Sequence, residues 1–214
     1  MQGRLSLAVE TGDISHLNDA IDSADRMEQL IDELLTLARE GEMVGETNPV
    51  DVGLIAEQAW ENVDAPVASP SVVDSPAIEA DAARLRELME NLFRNAVEHG
   101  STGNRTASGD AVDHDPTNNR TKSGDPVEHS ADHVTVTVGP RGADGFYVAD
   151  DGSGVPESER ERVFERGHTT SPDGTGFGLA IVEDIAQAHG WTIELTESQA
   201  GGARFEFRTT PDDR

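Results

Sequence analysis

Two asparagines, one aspartate and a run of glycines supply the residue types of a polar binding site. Asn91 and Asn95 stand four apart in Glu87-Leu88-Met89-Glu90-Asn91-Leu92-Phe93-Arg94-Asn95-Ala96, a spacing that puts both on one helix face. Their amide oxygens suit a hard cation, and Mg²⁺ takes oxygen ligands while keeping several waters. Asp150 opens Asp150-Asp151-Gly152-Ser153-Gly154, where a strand pattern breaks into glycine. In a dry pocket such a carboxylate accepts a hydrogen bond from an exocyclic amine. Gly174-Thr175-Gly176-Phe177-Gly178-Leu179 leads into a helical pattern, so its backbone N–H groups form an anion site. Each string alone is weak: two asparagines fit a solvated helix face, and Asp-x-Gly-x-Gly fits a plain turn. The chain has no Gly-x-x-x-x-Gly-Lys-Ser/Thr, which excludes a P-loop.

The elements that must position these residues are legible from periodicity. Residues 51–62 predict a helix burying Val52, Ile55, Ala59 and Trp60. Residues 71–74 and 77–79 predict short strands. Residues 81–99 predict a strong helix with Leu85, Leu88, Leu92 and Ala96 as its buried stripe. Alternation over 133–138 and 146–149 predicts two strands joined near residues 142–145. Residues 158–164 predict a short helix, and 178–189 a longer one closed by Gly190. Residues 192–196 and 204–208 predict a hairpin around Gly201-Gly202. Helices on one face of a mixed sheet make an α+β fold, a two-layer α/β sandwich, here over residues 51–214 behind a polar linker at 42–50.

Residues 1–41 predict a helical hairpin turning at Thr11-Gly12-Asp13. Leu17, Ile21, Ala24, Met27, Ile31, Leu34 and Ala38 recur at alternating steps of three and four. So short a hairpin exposes its seam, and pairing with a second copy in a four-helix bundle would cover it, giving a homodimer. The alternative is a single helix lying on the domain. Ala96-Val97-Glu98-His99 recurs as Ala111-Val112-Asp113-His114 and Pro126-Val127-Glu128-His129. The segment around these copies has almost no apolar residues, so it reads as a duplication that lengthened a surface loop at about 100–131. Its histidines are copies of a helix end rather than a metal set.

The 214-residue chain carries 42 Asp and Glu against 16 Lys and Arg, a net charge of −26. Lys122 is the sole lysine. Such acidity repels nucleic acid. Lysine depletion beside retained arginine points further, to a high-salt cytosol where carboxylate repulsion is screened. There is no cysteine, so neither a disulfide framework nor thiol chemistry. No apolar run approaches the ~20 residues of a membrane span, and no signal peptide is evident. The expectation is a soluble, cytoplasmic chain.

In their order and spacing the three strings resemble the N, G1 and G2 boxes of the ATP-binding domain of sensor histidine kinases. The charge pattern resembles haloarchaeal members. Phe164, in Val163-Phe164-Glu165-Arg166, stands at the F box, and the resemblance covers residues 48–209. It implies the GHKL (Bergerat) fold shared with type II topoisomerases, mismatch-repair ATPases and the 90-kDa heat-shock chaperones. It implies ATP and Mg²⁺ as ligands, with Asn91 and Asn95 holding the metal against the phosphates. Asp150 accepts from the adenine amino group, and Gly152 and Gly154 allow close approach to the ring. Gly174, Thr175, Gly176, Phe177, Gly178 and Leu179 cradle the phosphates. Arg94 and His99 complete the ATP-binding set, and residues 156–175 form a lid anchored by Phe164.

Three departures stand out. Glu98 replaces a usual basic residue, leaving Arg94 or Arg166 to meet a phosphate. Gly202-Ala203-Arg204-Phe205 lacks the family's hydroxyl near adenine. The phosphoacceptor box His-Glu/Asp-Leu-Arg-x-Pro is missing, and Ser15-His16-Leu17-Asn18 is a poor substitute. The expectation is a chain that starts just downstream of that box and cannot autophosphorylate in cis. It would transfer the γ-phosphoryl of ATP to a histidine elsewhere, and thence to an aspartate of a response regulator receiver domain. Two other readings stay open: a GHKL-type ATPase using Glu87 as general base, and a non-catalytic dimerising module.

Overall fold

The structure is a computed structural model that describes Met27 and residues 44–63, 70–100, 134–169 and 174–210. The rest of the predicted hairpin, the repeat segment with His114 and His129, and residues 170–173 of the lid lie outside the described residues. In chain order the elements are β1 (Asn48–Asp51), α1 (Val52–Trp60), β2 (Ser71–Val72), β3 (Ala77–Ala80), α2 (Ala82–Gly100), β4 (Val136–Pro140), β5 (Gly145–Asp150), α3 (Gly178–Ala188), β6 (Thr192–Glu197) and β7 (Ala203–Arg208). Two short 3₁₀ turns, Glu157–Glu159 and Arg162–Phe164, lie between β5 and α3.

Five strands form one sheet in the order β2-β4-β5-β7-β6, and β1 pairs with β3 in a small second sheet. β2 runs parallel to β4, and every other neighbour is antiparallel. The period of two sorts the side chains. Phe146 and Val148 face the core from β5, opposite Phe207 and Phe205 of β7. Tyr147 lies on the other face, opposite Glu206. Asp150 shares the parity of Phe146 and Val148, which sends its carboxylate to the core side at the strand end.

The helices cover that apolar face. α1 starts on Asp51, whose Oδ1 accepts from the Leu54 N–H at 3.0 Å, the usual service of an N-cap aspartate. Asp81 caps α2 in the same way, taking the Ala83 N–H at 2.9 Å. Leu85, Leu88, Met89, Leu92, Phe93 and Ala96 bury one side of α2. Phe93 meets Trp60 of α1 edge-on at 5.2 Å, and Phe146 stacks on Phe207 at 4.6 Å. Phe93, Phe146 and Phe207 are fully buried, each contributing roughly 1.5–3 kcal/mol. α3 ends at Ala188, Gly190 follows with a φ of 72°, and Trp191 donates back to the Ala186 carbonyl at 2.9 Å.

Three expectations need adjusting. The segment read as linker ends in a strand, because residues 48–51 pair with residues 77–80, and Gly45 donates to Asp81 Oδ2 at 3.0 Å. The helix predicted over 158–164 is two separate 3₁₀ turns. The strand over 71–74 stops at Val72, since Asp74 takes a positive φ of 43°. Among the described residues no helix is long and apolar enough to cross a membrane.

Candidate functional site

α2, the end of β5 and the entry to α3 converge on one cleft, with about 930 Å³ of empty space open to solvent. Asn91, Arg94, Asn95 and His99 line it from α2, Asp150 and Gly154 from the end of β5, and Gly174, Thr175, Gly176, Gly178 and Leu179 from the glycine-rich entry to α3. Helix spacing brings the α2 residues together, since residues three and four apart share a face.

Asp150 is buried, 9 % exposed. Its Oδ1 accepts the Gly152 N–H at 2.9 Å and the Ala203 N–H at 3.1 Å. No hydrogen bond among the described residues reaches Oδ2, which leaves one acceptor for a ligand. Burial pushes the carboxyl above its ordinary range, and the neighbouring Asp151 charge adds to the rise. The two N–H groups and His99 oppose it. Burial lowers His99 in turn, against the pull of Asp150.

Asn91 is the second buried polar side chain here, 7 % exposed. Its Nδ2 donates to the Glu87 carbonyl one turn back, at 2.8 Å. Oδ1 has no hydrogen-bond partner among the described residues, and a Cβ built on Gly178 would lie 3.4 Å from it. An unpaired buried acceptor costs about 1–3 kcal/mol. A hard cation held by Asn91 and Asn95 would relieve that cost, so the donor set fits Mg²⁺.

The glycine-rich loop requires glycine at Gly176. Its φ is +77°, and a Cβ there would stand 2.6 Å from the Gly167 backbone carbon. The two backbones are tied by the Gly167 N–H donating to the Gly176 carbonyl at 2.9 Å.

Three expected site residues do not line the cleft. Gly152 works behind it, through its N–H to Asp150. Phe164 is half-buried against the core and meets Phe205 edge-on at 6.4 Å. Phe177 occupies the cap position of α3. Arg166, offered as a substitute phosphate contact, is also not part of the lining and pairs with Asp184 at 3.4 Å, so among the described residues Arg94 is the arginine of the cleft. Glu87 pairs with Arg84 at 3.1 Å and does not line the cleft either.

Sequence reasoning missed His168, whose Nε2 is buried without a partner on the cleft wall. It also missed Ser198, buried behind Asp150 with its hydroxyl on the Asp150 carbonyl. No local pattern marks Ser198, because its bond runs to a residue 48 positions away. His168 follows Glu165-Arg166-Gly167 without any pattern that marks it.

Fold and cleft together define a class: a two-layer sandwich in which helix-borne asparagines, a strand-end aspartate and a glycine-rich helix entry share one pocket. Residues 80–214 match the family of histidine kinase-, DNA gyrase B- and HSP90-like ATPases, and the chain belongs to it. It is 34 % identical over 201 residues to the sensor-type histidine kinase PrrB of Mycobacterium tuberculosis, covering 90 % of this chain and 39 % of PrrB. It is 29 % identical over 194 residues to the sensor histidine kinase ZraS of Klebsiella oxytoca, covering 86 % of this chain and 35 % of ZraS. The chain thus spans well under half the length of these relatives. In fold it resembles the Acinetobacter baumannii histidine kinase AdeS, at a TM-score of 0.63 and 16 % identity over 99 % of this chain and 93 % of that one.

Proposed function

We propose that this chain is the ATP- and Mg²⁺-binding catalytic region of a two-component sensor histidine kinase working in a high-salt cytosol. The observation that carries the reading is Asp150: a buried carboxylate with one oxygen held by two backbone N–H groups and the other left for a ligand, in the same cleft as Asn91, Asn95 and the glycine-rich loop. Asp150 accepts from the exocyclic amine of adenine and so favours ATP over GTP. The N–H groups at the entry to α3 receive the phosphates. Asn91 and Asn95 hold Mg²⁺, which when bound neutralises charge on the phosphate oxygens.

A histidine nitrogen supplied by a longer parent or a partner chain attacks the γ-phosphorus in line. The bond to the β,γ-bridging oxygen breaks and ADP leaves. The phosphoryl group then passes to an aspartate of a response regulator. The chain has no phosphoacceptor box of its own, so transfer requires that outside histidine. Hydrolysis with Glu87 as base draws no support from Glu87, which pairs with Arg84 and is not part of the cleft lining.

The test is calorimetry of ATP binding in molar KCl with Mg²⁺, on the wild type and Asp150→Ala. Wild-type binding that the substitution abolishes supports the reading. A wild type that does not bind ATP would sink it.

A further inference from the structure

Behind Asp150 lies a polar knot that the nucleotide reading does not use. Ser198, 8 % exposed, is the buried polar side chain between the turn joining β6 to β7 and the end of β5. Its hydroxyl donates to the Asp150 main-chain carbonyl at 2.6 Å. The same oxygen accepts the Gly202 N–H at 3.0 Å and the Ala200 N–H at 3.2 Å. The Ser198 N–H donates to the Gly202 carbonyl at 2.8 Å, and its own carbonyl accepts the Gly201 N–H at 3.0 Å. One residue therefore closes the turn on itself and ties it to β5.

Gly202 shows how tight this junction is. A Cβ there would stand 2.3 Å from both the carbonyl oxygen and Oδ1 of Asp150. The next residue, Ala203, supplies the N–H that holds Oδ1 at 3.1 Å. Ala203 is the first residue of β7, opposite Glu197 and directly after the turn, and the Ser198 hydroxyl is a side-chain link from that turn to β5. Without it, the Asp150 carbonyl and the Gly202 N–H both lose a partner in a buried place, where an unsatisfied polar group is unfavourable. The least disruptive relief is for the turn to move off β5, taking Ala203 with it.

We propose that Ser198 is a positioning residue for the Asp150 carboxylate, fixing through Gly202 and Ala203 the orientation in which Oδ2 meets a nucleobase amine. This rests on the reading of Asp150 as the adenine acceptor.

The experiment compares a ligand that has the base with one that lacks it. MgATP is titrated directly and magnesium tripolyphosphate by competition, in molar KCl, on the wild type and Ser198→Ala, with melting temperatures recorded in the same buffer. The expected result is a loss of about tenfold in ATP affinity with tripolyphosphate affinity within twofold of wild type. A purely structural role would lower both affinities together or leave both unchanged, and either result would overturn the inference. If Ser198→Ala does not fold, Ser198→Cys replaces the hydroxyl with a weaker donor and acceptor. It should show the same selective loss at about threefold, and equal losses for the two ligands would again refute the role. A wild type that binds tripolyphosphate but not ATP would remove the adenine reading of Asp150, and the role of Ser198 with it.

Discussion

On the solvent face of the five-stranded sheet, Glu206 lies between two arginines, with Arg204 Nε at 2.7 Å and Arg141 Nε at 3.0 Å. Arg141 reaches on to Asp144 at 3.2 Å, and the Arg204 guanidinium lies 3.6 Å over the Tyr147 ring. On the core face, at the end of the same strands, Asp150 is buried with backbone N–H groups rather than an arginine on its carboxylate, and Asn91 Oδ1 and His168 Nε2 have no hydrogen-bond partner. The two faces share a sheet and differ in what their polar groups lack. On the outer face the carboxylates and guanidinium groups pair with one another. The cleft keeps acceptors open at a cost in stability, as expected where a ligand is to complete the site.

The largest effect that sharpens this contrast should come from Asp150→Asn. The amide keeps an oxygen for the Gly152 and Ala203 N–H groups but presents a donor where the adenine amine needs an acceptor. ATP affinity should fall about a hundredfold, roughly 2.7 kcal/mol, with GTP gaining relative to ATP. Stability should move the other way. Burial raises the Asp150 carboxyl above 3.8, so the folded state holds this proton more tightly than the unfolded one. Its contribution to stability is fullest below the unfolded value and declines as pH rises through the window up to the folded value. At neutral pH the substitution removes a buried charge, and the melting temperature should rise, by roughly 2–4 °C per kcal/mol. The gain should shrink toward pH 4. Scanning calorimetry at pH 4 and pH 7 checks it, and a lower melting temperature at pH 7 would make Asp150 a structural residue.

Asn91→Ala should be the next largest. It removes the unpaired Oδ1 together with the Nδ2 bond to Glu87. We expect about tenfold weaker ATP binding with Mg²⁺ present and little change in excess EDTA, a difference of about 1.4 kcal/mol assignable to the metal. Titrations with and without Mg²⁺ decide this. Equal losses in both would show that Asn91 meets the nucleotide directly.

The sequence revealed more of the cleft than of the scaffold behind it, and the reason is physical. Asn91, Asp150 and Gly176 stand in strings whose proposed chemistry and backbone geometry demand particular residue types at fixed spacings, and all three line the cleft. Stripes such as Leu85, Leu88 and Leu92 follow helix period. β1 escaped detection because four residues, three of them exposed, carry no clear alternation, and its pairing with β3 is set by tertiary contact. The 3₁₀ turns at 157–164 escaped because an amphipathic run that short fits either helix type. Ser198 was invisible for a different reason. Its importance lies in a bond to a residue 48 positions away, and nothing in a local pattern encodes that distance.

The smallest predicted effect tests the other side of the contrast. Glu206→Gln removes the carboxylate that links Arg141 and Arg204. The hydrogen bond from Arg204, then that from Arg141 and the charge of both, hold this carboxyl below its ordinary value. A depressed carboxyl stabilises the fold above its unfolded value and loses that contribution as pH falls through the folded one. The wild type and the variant should therefore differ at pH 7 and converge in acid. Half-buried pairs of this kind are worth about 0.2–1 kcal/mol each. Removing one negative charge from a chain at −26 acts in the opposite direction by easing repulsion. Two arginine contacts within 3.0 Å should outweigh that diffuse gain, leaving a net loss of about 1 kcal/mol. The loss should be smaller in molar KCl than at about 0.1 M, where screening is weaker. ATP affinity should stay within twofold of wild type, because the residue lies on the sheet face opposite the core and is not part of the cleft lining. A drop in affinity without a drop in melting temperature would mean that the two faces are coupled through β5 and β7.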